Sequence, residues 1–142
     1  MIEINNLSNF RLDKKLFTGI AKKVLSGENR RTETLSLVFI SKEEIKKLNK
    51  KYRGKNKPTD VLSFSAQGGP AWGGEAEKKI LGEIIICPEI VKEKKEDIKK
   101  VFIHGILHLL GYDHEKSLGR SAGEAKKEAE VMEQKEEKYS KF

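Results

Sequence analysis

Val101-Phe-Ile-His104-Gly-Ile-Leu-His108-Leu-Leu-Gly111-Tyr-Asp-His114 contains every histidine of the 142-residue chain. The apolar side chains of Val101–Leu110 point almost all round a helix axis. A helix over Asp97–Leu110 is therefore expected to be buried on most sides. His104 and His108 are its only polar side chains in that run. Four residues apart, they lie on one face, about one turn from each other. Gly111 stands where a helix commonly ends in a left-handed residue. The chain can turn there and bring His114 back to the same point. Three neutral nitrogens converging on one point make an open metal site with room for substrate. A buried imidazole without a partner is costly, and a metal would satisfy both His104 and His108. The bland alternative is a set of core histidines bonded to backbone carbonyls.

The spacing is that of the metzincin peptidases, HExxHxxGxxH, with one departure. Gly105 stands where a peptidase carries its general-base glutamate. A metallohydrolase site is therefore expected, but not a protease. Glycine inside a helix costs on the order of 1 kcal/mol against alanine. Its presence beside a ligand histidine suggests close approach by another backbone or by substrate.

The surroundings suit a polyanion. The formal net charge is +7 and the sequence pI about 9.4. Residues 115–142 carry seven basic and seven acidic side chains, so the surplus lies in residues 1–114. It is densest from Lys42 to Lys57, with eight Lys/Arg against two Glu. Such a face attracts phosphate backbones, although a lysine-rich solvated face has the same composition. No apolar run approaches a membrane span, and no secretory signal is visible, so a cytoplasmic location is expected. One cysteine, Cys87, excludes an internal disulfide framework and reads as a small buried residue at a strand end.

A single domain over residues 1–142 is expected, α/β and α+β-like. Strands are read at Ile2–Ile4, Leu35–Phe39, Asp60–Ser65 and Ile80–Cys87. Helices are read over Asp13–Leu25, from the Ser41–Glu44 capping box to Tyr52 with Ile45, Leu48 and Tyr52 inward, and over Asp97–Leu110. Pro88 can start a short helical turn. Arg53–Thr59 reads as a basic loop and Gln67–Lys79 as a glycine-rich exposed one. The charged segment 115–142 holds a helix over Ser121–Ser140. Its narrow stripe of Ala122, Ala125, Ala129 and Met132 predicts weak packing and fraying. The order implies a mixed four-stranded sheet packed with helices, with a zincin-like three-histidine site on the buried helix.

Two motifs carry a family likeness over about residues 30–115. The histidine motif with Gly-Tyr-Asp resembles the signature of the YbeY family of metal-dependent endoribonucleases, also called rRNA maturation factors. Leu48-Asn49, Tyr52-Arg53 and Lys57-Pro58-Thr59-Asp60-Val61-Leu62-Ser63-Phe64 are similar to the family's second motif. Leu81-Gly82-Glu83 stands where the family usually has Gly-Asp. The segment between Cys87 and His104 is short, so one family helix is expected to shrink to a turn.

The resemblance implies cleavage of single-stranded RNA, processing of 16S rRNA near its 3′ end, and quality control of the ribosomal small subunit. It implies one Zn2+ per chain on His104, His108 and His114. The family's cleft arginine falls on Arg53, which with His114 is the catalytic candidate. A guanidinium offers phosphate a bidentate bond, although a solvated arginine is the alternative. Lys55 and Lys57 would extend the phosphate track. Asp113 and Asp60 each have two readings, a carboxylate behind a ligand histidine or a local turn cap. Two other functions remain open: a ribosome- or RNA-binding protein with a mainly structural zinc, and a metallohydrolase of another phosphoester. Four protein ligands usually close a structural zinc; with no fourth histidine and Cys87 the only thiol, an open catalytic site is better supported. No membrane or disulfide-linked partner is expected.

Overall fold

The computed structural model describes residues 2–30, 33–65, 80–111 and 122–140. Nine elements follow in order: β1 (Ile2–Asn6), α1 (Lys14–Gly27), β2 (Thr34–Phe39), α2 (Lys42–Arg53), β3 (Val61–Ser65), β4 (Ile80–Ile86), α3 (Pro88–Glu93), α4 (Ile98–Leu109) and α5 (Ala122–Ser140). The six-residue α3 is the expected short turn of helix. The glycine-rich loop 67–79 lies outside the described residues.

The strands form one mixed sheet in the order β1-β2-β4-β3. β1, β2 and β4 run parallel, and β3 pairs antiparallel with β4 at the edge. Helical crossovers place the parallel strands, and a direct connection suffices for the antiparallel pair. The alternation of β2 works as expected: Leu35, Leu37 and Phe39 are fully buried. β4 is central and covered on both faces. Its Ile84 and Ile86 join the larger core with α1 and α4, while Ile85 joins Ile40, Ile45, Leu62, Cys87 and Ile90 on the other face. Cys87 is indeed buried, and burial pushes its thiol pKa up, which makes the thiol inert.

α4 is the keystone of the larger core. Phe102 packs edge-on to Phe17 at 5.5 Å, and Phe17 in turn to Phe39 at 5.1 Å. Val101, Phe102, Ile103, Ile106 and Leu107 are buried, each such side chain worth about 1.5–3 kcal/mol. Asp97 caps the helix by accepting from Lys99 N at 2.9 Å. The close approach signalled by Gly105 is made by the side chain of Ile84 rather than by another backbone. A Cβ there would lie 3.1 Å from Ile84 Cγ2 and 3.2 Å from Cδ1. Gly111 has φ +104, and its N–H bonds His108 O at 3.0 Å. The expected left-handed exit is present.

Three expectations change. Tyr52 is 56% exposed; the inward residue of that turn is Asn49, one helical turn from Ile45. Arg53 is the last residue of α2 rather than part of a loop, and Gly54 caps it at φ +69. The third change is α5, which is docked against α4 and α1 rather than frayed. Met132 and Tyr139 are almost fully buried. Tyr139 Oη donates to Glu28 Oε2 at 2.6 Å, and Lys135 Nζ donates to the same carboxylate at 2.8 Å. Gly27 makes room for the Tyr139 ring, since a Cβ there would collide with the hydroxyl. The stripe reading missed Tyr139 because it lies two turns beyond Met132; the side chains of Ala122, Ala125 and Ala129 lie outside the described residues.

Candidate functional site

The buried helix delivers its two histidines to the floor of a cleft of about 920 Å³. Arg53, Lys55, Lys57 and Lys94 also line it, with Thr59, Ser63 and Ser65. Two local devices bring the basic residues there. Gly54 turns the chain sharply after α2. The buried Asn49 then donates from Nδ2 to Lys57 O at 2.8 Å, tying the loop back onto the helix. Four cationic side chains facing two imidazoles give the cleft a positive lining, which focuses field on an anion inside it.

His104 and His108 meet edge to face, with ring centroids 4.5 Å apart and Nε2 atoms 2.9 Å apart. Both nitrogens cannot carry protons at that separation, so at least one lone pair points into the gap. His104 Nδ1 lies 3.3 Å from Glu136 Oε1 on α5. A proton on Nδ1 leaves Nε2 bare. The donor set therefore suits a borderline-soft divalent ion such as zinc. His114 and Asp113 lie outside the described residues. Among the described residues no group of three or more His, Cys, Asp or Glu side chains converges for a metal. The described part of the expected three-histidine site is the His104–His108 pair.

His104 also borders a smaller hollow of about 390 Å³, lined by Asp60, Glu96, Asp97, Lys100 and Glu136. Asp60 is a local cap here: its Oδ1 accepts from Val61 N at 2.9 Å and Thr59 Oγ1 at 3.2 Å. Lys94 Nζ lies 3.8 Å from Asp60 Oδ2. Burial, then a hydrogen bond and repulsion from Asp60, push the Glu96 carboxyl up to about 7, against the pull of Lys94 and His104. Glu96 is exposed as a residue, so solvent screens part of that interaction.

Arg53, Lys55 and Lys57 all line the histidine cleft. Lys94, Asn49, Glu96 and Glu136 also border the two hollows, and the sequence does not mark them as site residues. Asn49 had a signal, a polar residue four after Ile45 on the inner face of α2. Glu136 had the same signal, four residues after Met132. Lys94 and Glu96 sit in a charged run that has no periodicity to read.

The fold and the site together define a class: a mixed α/β domain that sets a histidine pair in a cleft lined by cationic side chains. The chain belongs to the family described as endoribonuclease YbeY, whose model matches residues 3–142. A relative named endoribonuclease YbeY from Bdellovibrio bacteriovorus is 41% identical over 68% of this chain, and the match spans 63% of its length. The relative of that name from Persephonella marina is 36% identical, covering 89% of this chain and 80% of its own. The one from Sulfurovum is 33% identical over 94% and 90%. A solution structure from Thermotoga maritima superposes with a TM-score of 0.59 at 31% identity, over 98% of this chain and 86% of that one. Among the described residues no helix is long and apolar enough to cross a membrane.

Proposed function

We propose that this chain is a zinc-dependent endoribonuclease that cuts single-stranded RNA. We place it in the cytoplasm, in 3′-end maturation of 16S rRNA and quality control of the ribosomal small subunit. One observation carries the chemistry: the His104–His108 pair opens into the same cleft as Arg53, Lys55, Lys57 and Lys94. The ribosomal setting rests on family membership.

In this reading His104, His108 and His114 would hold the ion. Zinc, when bound, supplies a Lewis acid for charge developing on the phosphoryl group. Arg53 grips two phosphoryl oxygens with its planar fork. Lys55, Lys57 and Lys94 hold the flanking phosphates as point charges. A cleft that must bring one phosphate down to the histidines favours a flexible strand over a stiff duplex.

The test is cleavage of defined single-stranded and duplex RNA by the full chain, with and without chelator, alongside metal analysis. Single strands should be cut, chelation should stop the reaction, and zinc should restore it. Affinity should fall steeply with salt as the basic side chains release counterions from RNA. Salt-sensitive binding without metal-dependent cleavage would replace this reading with an RNA-binding protein. Hydrolysis of small phosphoesters but not RNA would point to a different phosphoesterase.

A further inference from the structure

A neutral histidine that offers one ring nitrogen to a metal must keep its proton on the other. The choice between the two tautomers is set by whatever faces the far nitrogen. For His104 that group is Glu136. Its Oε1 lies 3.3 Å from Nδ1, and the two side chains are 20% and 27% exposed. The other charged groups around this hollow are Asp60, Glu96, Asp97 and Lys100.

Glu136 does not owe its place to His104. One residue earlier, Lys135 pairs with Glu28 at 2.8 Å, and one residue later Glu137 pairs with Lys100 on α4 at 2.8 Å. Tyr139 bonds Glu28, and Met132 is buried one turn before. These anchors dock α5 whatever stands at position 136. A carboxylate there loses hydration, and only a partner offsets that loss.

We infer that Glu136 accepts a hydrogen bond from His104 Nδ1–H and so positions His104. It holds the tautomer whose bare Nε2 faces the point that His108 Nε2 also faces. Glu136 itself touches neither metal nor RNA. Its consequence for metal binding rests on the function proposed above; the hydrogen bond does not.

The test uses the metal-free full chain at about pH 8, where an ordinary imidazole is neutral. Nitrogen-15 correlation spectra assign the His104 tautomer in the parent, Glu136→Ala and Glu136→Gln. Competition with a chromophoric chelator gives zinc affinity, and thermal unfolding gives Tm. The parent should carry its proton on Nδ1. In Glu136→Ala that preference should be lost and zinc affinity should fall about 10–100-fold, with Tm within a few degrees of the parent. Glu136→Gln keeps an acceptor oxygen and should recover part of both. A parent protonated at Nε2 overturns the inference, as does an alanine variant with parental tautomer and affinity. If Glu136→Ala undocks α5, the glutamine variant decides: partial retention supports the role, and a loss as complete as alanine's overturns it. A parent that binds no zinc at all defeats the metal reading, while the tautomer still decides the positioning.

Discussion

Adding one methyl group to Gly105 sets two effects of similar size against each other. Alanine in place of glycine inside α4 gains about 1 kcal/mol from the smaller loss of backbone freedom. Against this stands the contact with Ile84, where the new Cβ meets Cγ2 at 3.1 Å, Cδ1 at 3.2 Å and Cγ1 at 3.4 Å. Ile84 is 0% exposed and sits on the central strand β4, paired with β2 on one side and β3 on the other. It has nowhere to retreat, so overpacking costs about 1–3 kcal/mol. The expected net effect of Gly105→Ala is a loss of about 1 kcal/mol. For a chain of this length that lowers Tm by about 3–4 °C. In an Ile84→Ala background all three contacts disappear and the sign should reverse. Gly105→Ala should there stabilise by about 1 kcal/mol relative to Ile84→Ala alone. Urea unfolding of the four proteins closes the cycle. If Gly105→Ala raises Tm in the parent background, the approach of α4 to the sheet is not what keeps this position a glycine.

Arg53→Ala should lower turnover on single-stranded RNA by on the order of a hundredfold with a much smaller change in RNA affinity, because the lost donor acts on charge that develops in the transition state; single-turnover kinetics separates the two, and parental turnover with a full metal site would remove Arg53 from the chemistry. Arg53→Lys should recover little of it, since an ammonium lacks the bidentate fork. Glu96 makes stability depend on pH with a definite sign. Its carboxyl titrates near 7 in the folded chain against an ordinary 4.5, so between those values the folded state keeps a proton that the unfolded state releases. Stability should therefore fall as pH rises from about 4.5 to 7 and level off above. Glu96→Gln should flatten that stretch of the denaturation profile, and an unchanged slope would refute the shift.

Much of this molecule is legible in its sequence where the pattern is strong. The apolar surface of Val101–Leu110, broken only by His104 and His108, reads as burial, and the sheet duly lies against it. The alternation of Leu35, Leu37 and Phe39 gives a strand with one face on the core. The side chains hidden from such a reading are those whose partners are remote. Glu136 stands four residues after Met132, which marks its face of the helix but not its partner 32 positions away, since a carboxylate that faces an imidazole looks the same in sequence as one that faces water. Asn49 belongs to a recognisable motif, but its work, holding Lys57 O, depends on a turn at Gly54 that brings the loop back. Tyr139 escaped notice because it lies two turns beyond the last apolar residue of the stripe.

The bond between Glu28 and Tyr139 joins residues 111 positions apart. Closing so long a loop carries an entropy cost that little else on α5 offsets until the sheet, α1 and α4 already stand. The helix is therefore expected to be the last segment to seat and the first to lift away. A partial opening that releases only α5 leaves the sheet intact but frees the ring of His104 from the carboxylate beside it. On the function proposed above, RNA cleavage in mild denaturant should fall before the sheet unfolds, and so report the seating of one helix.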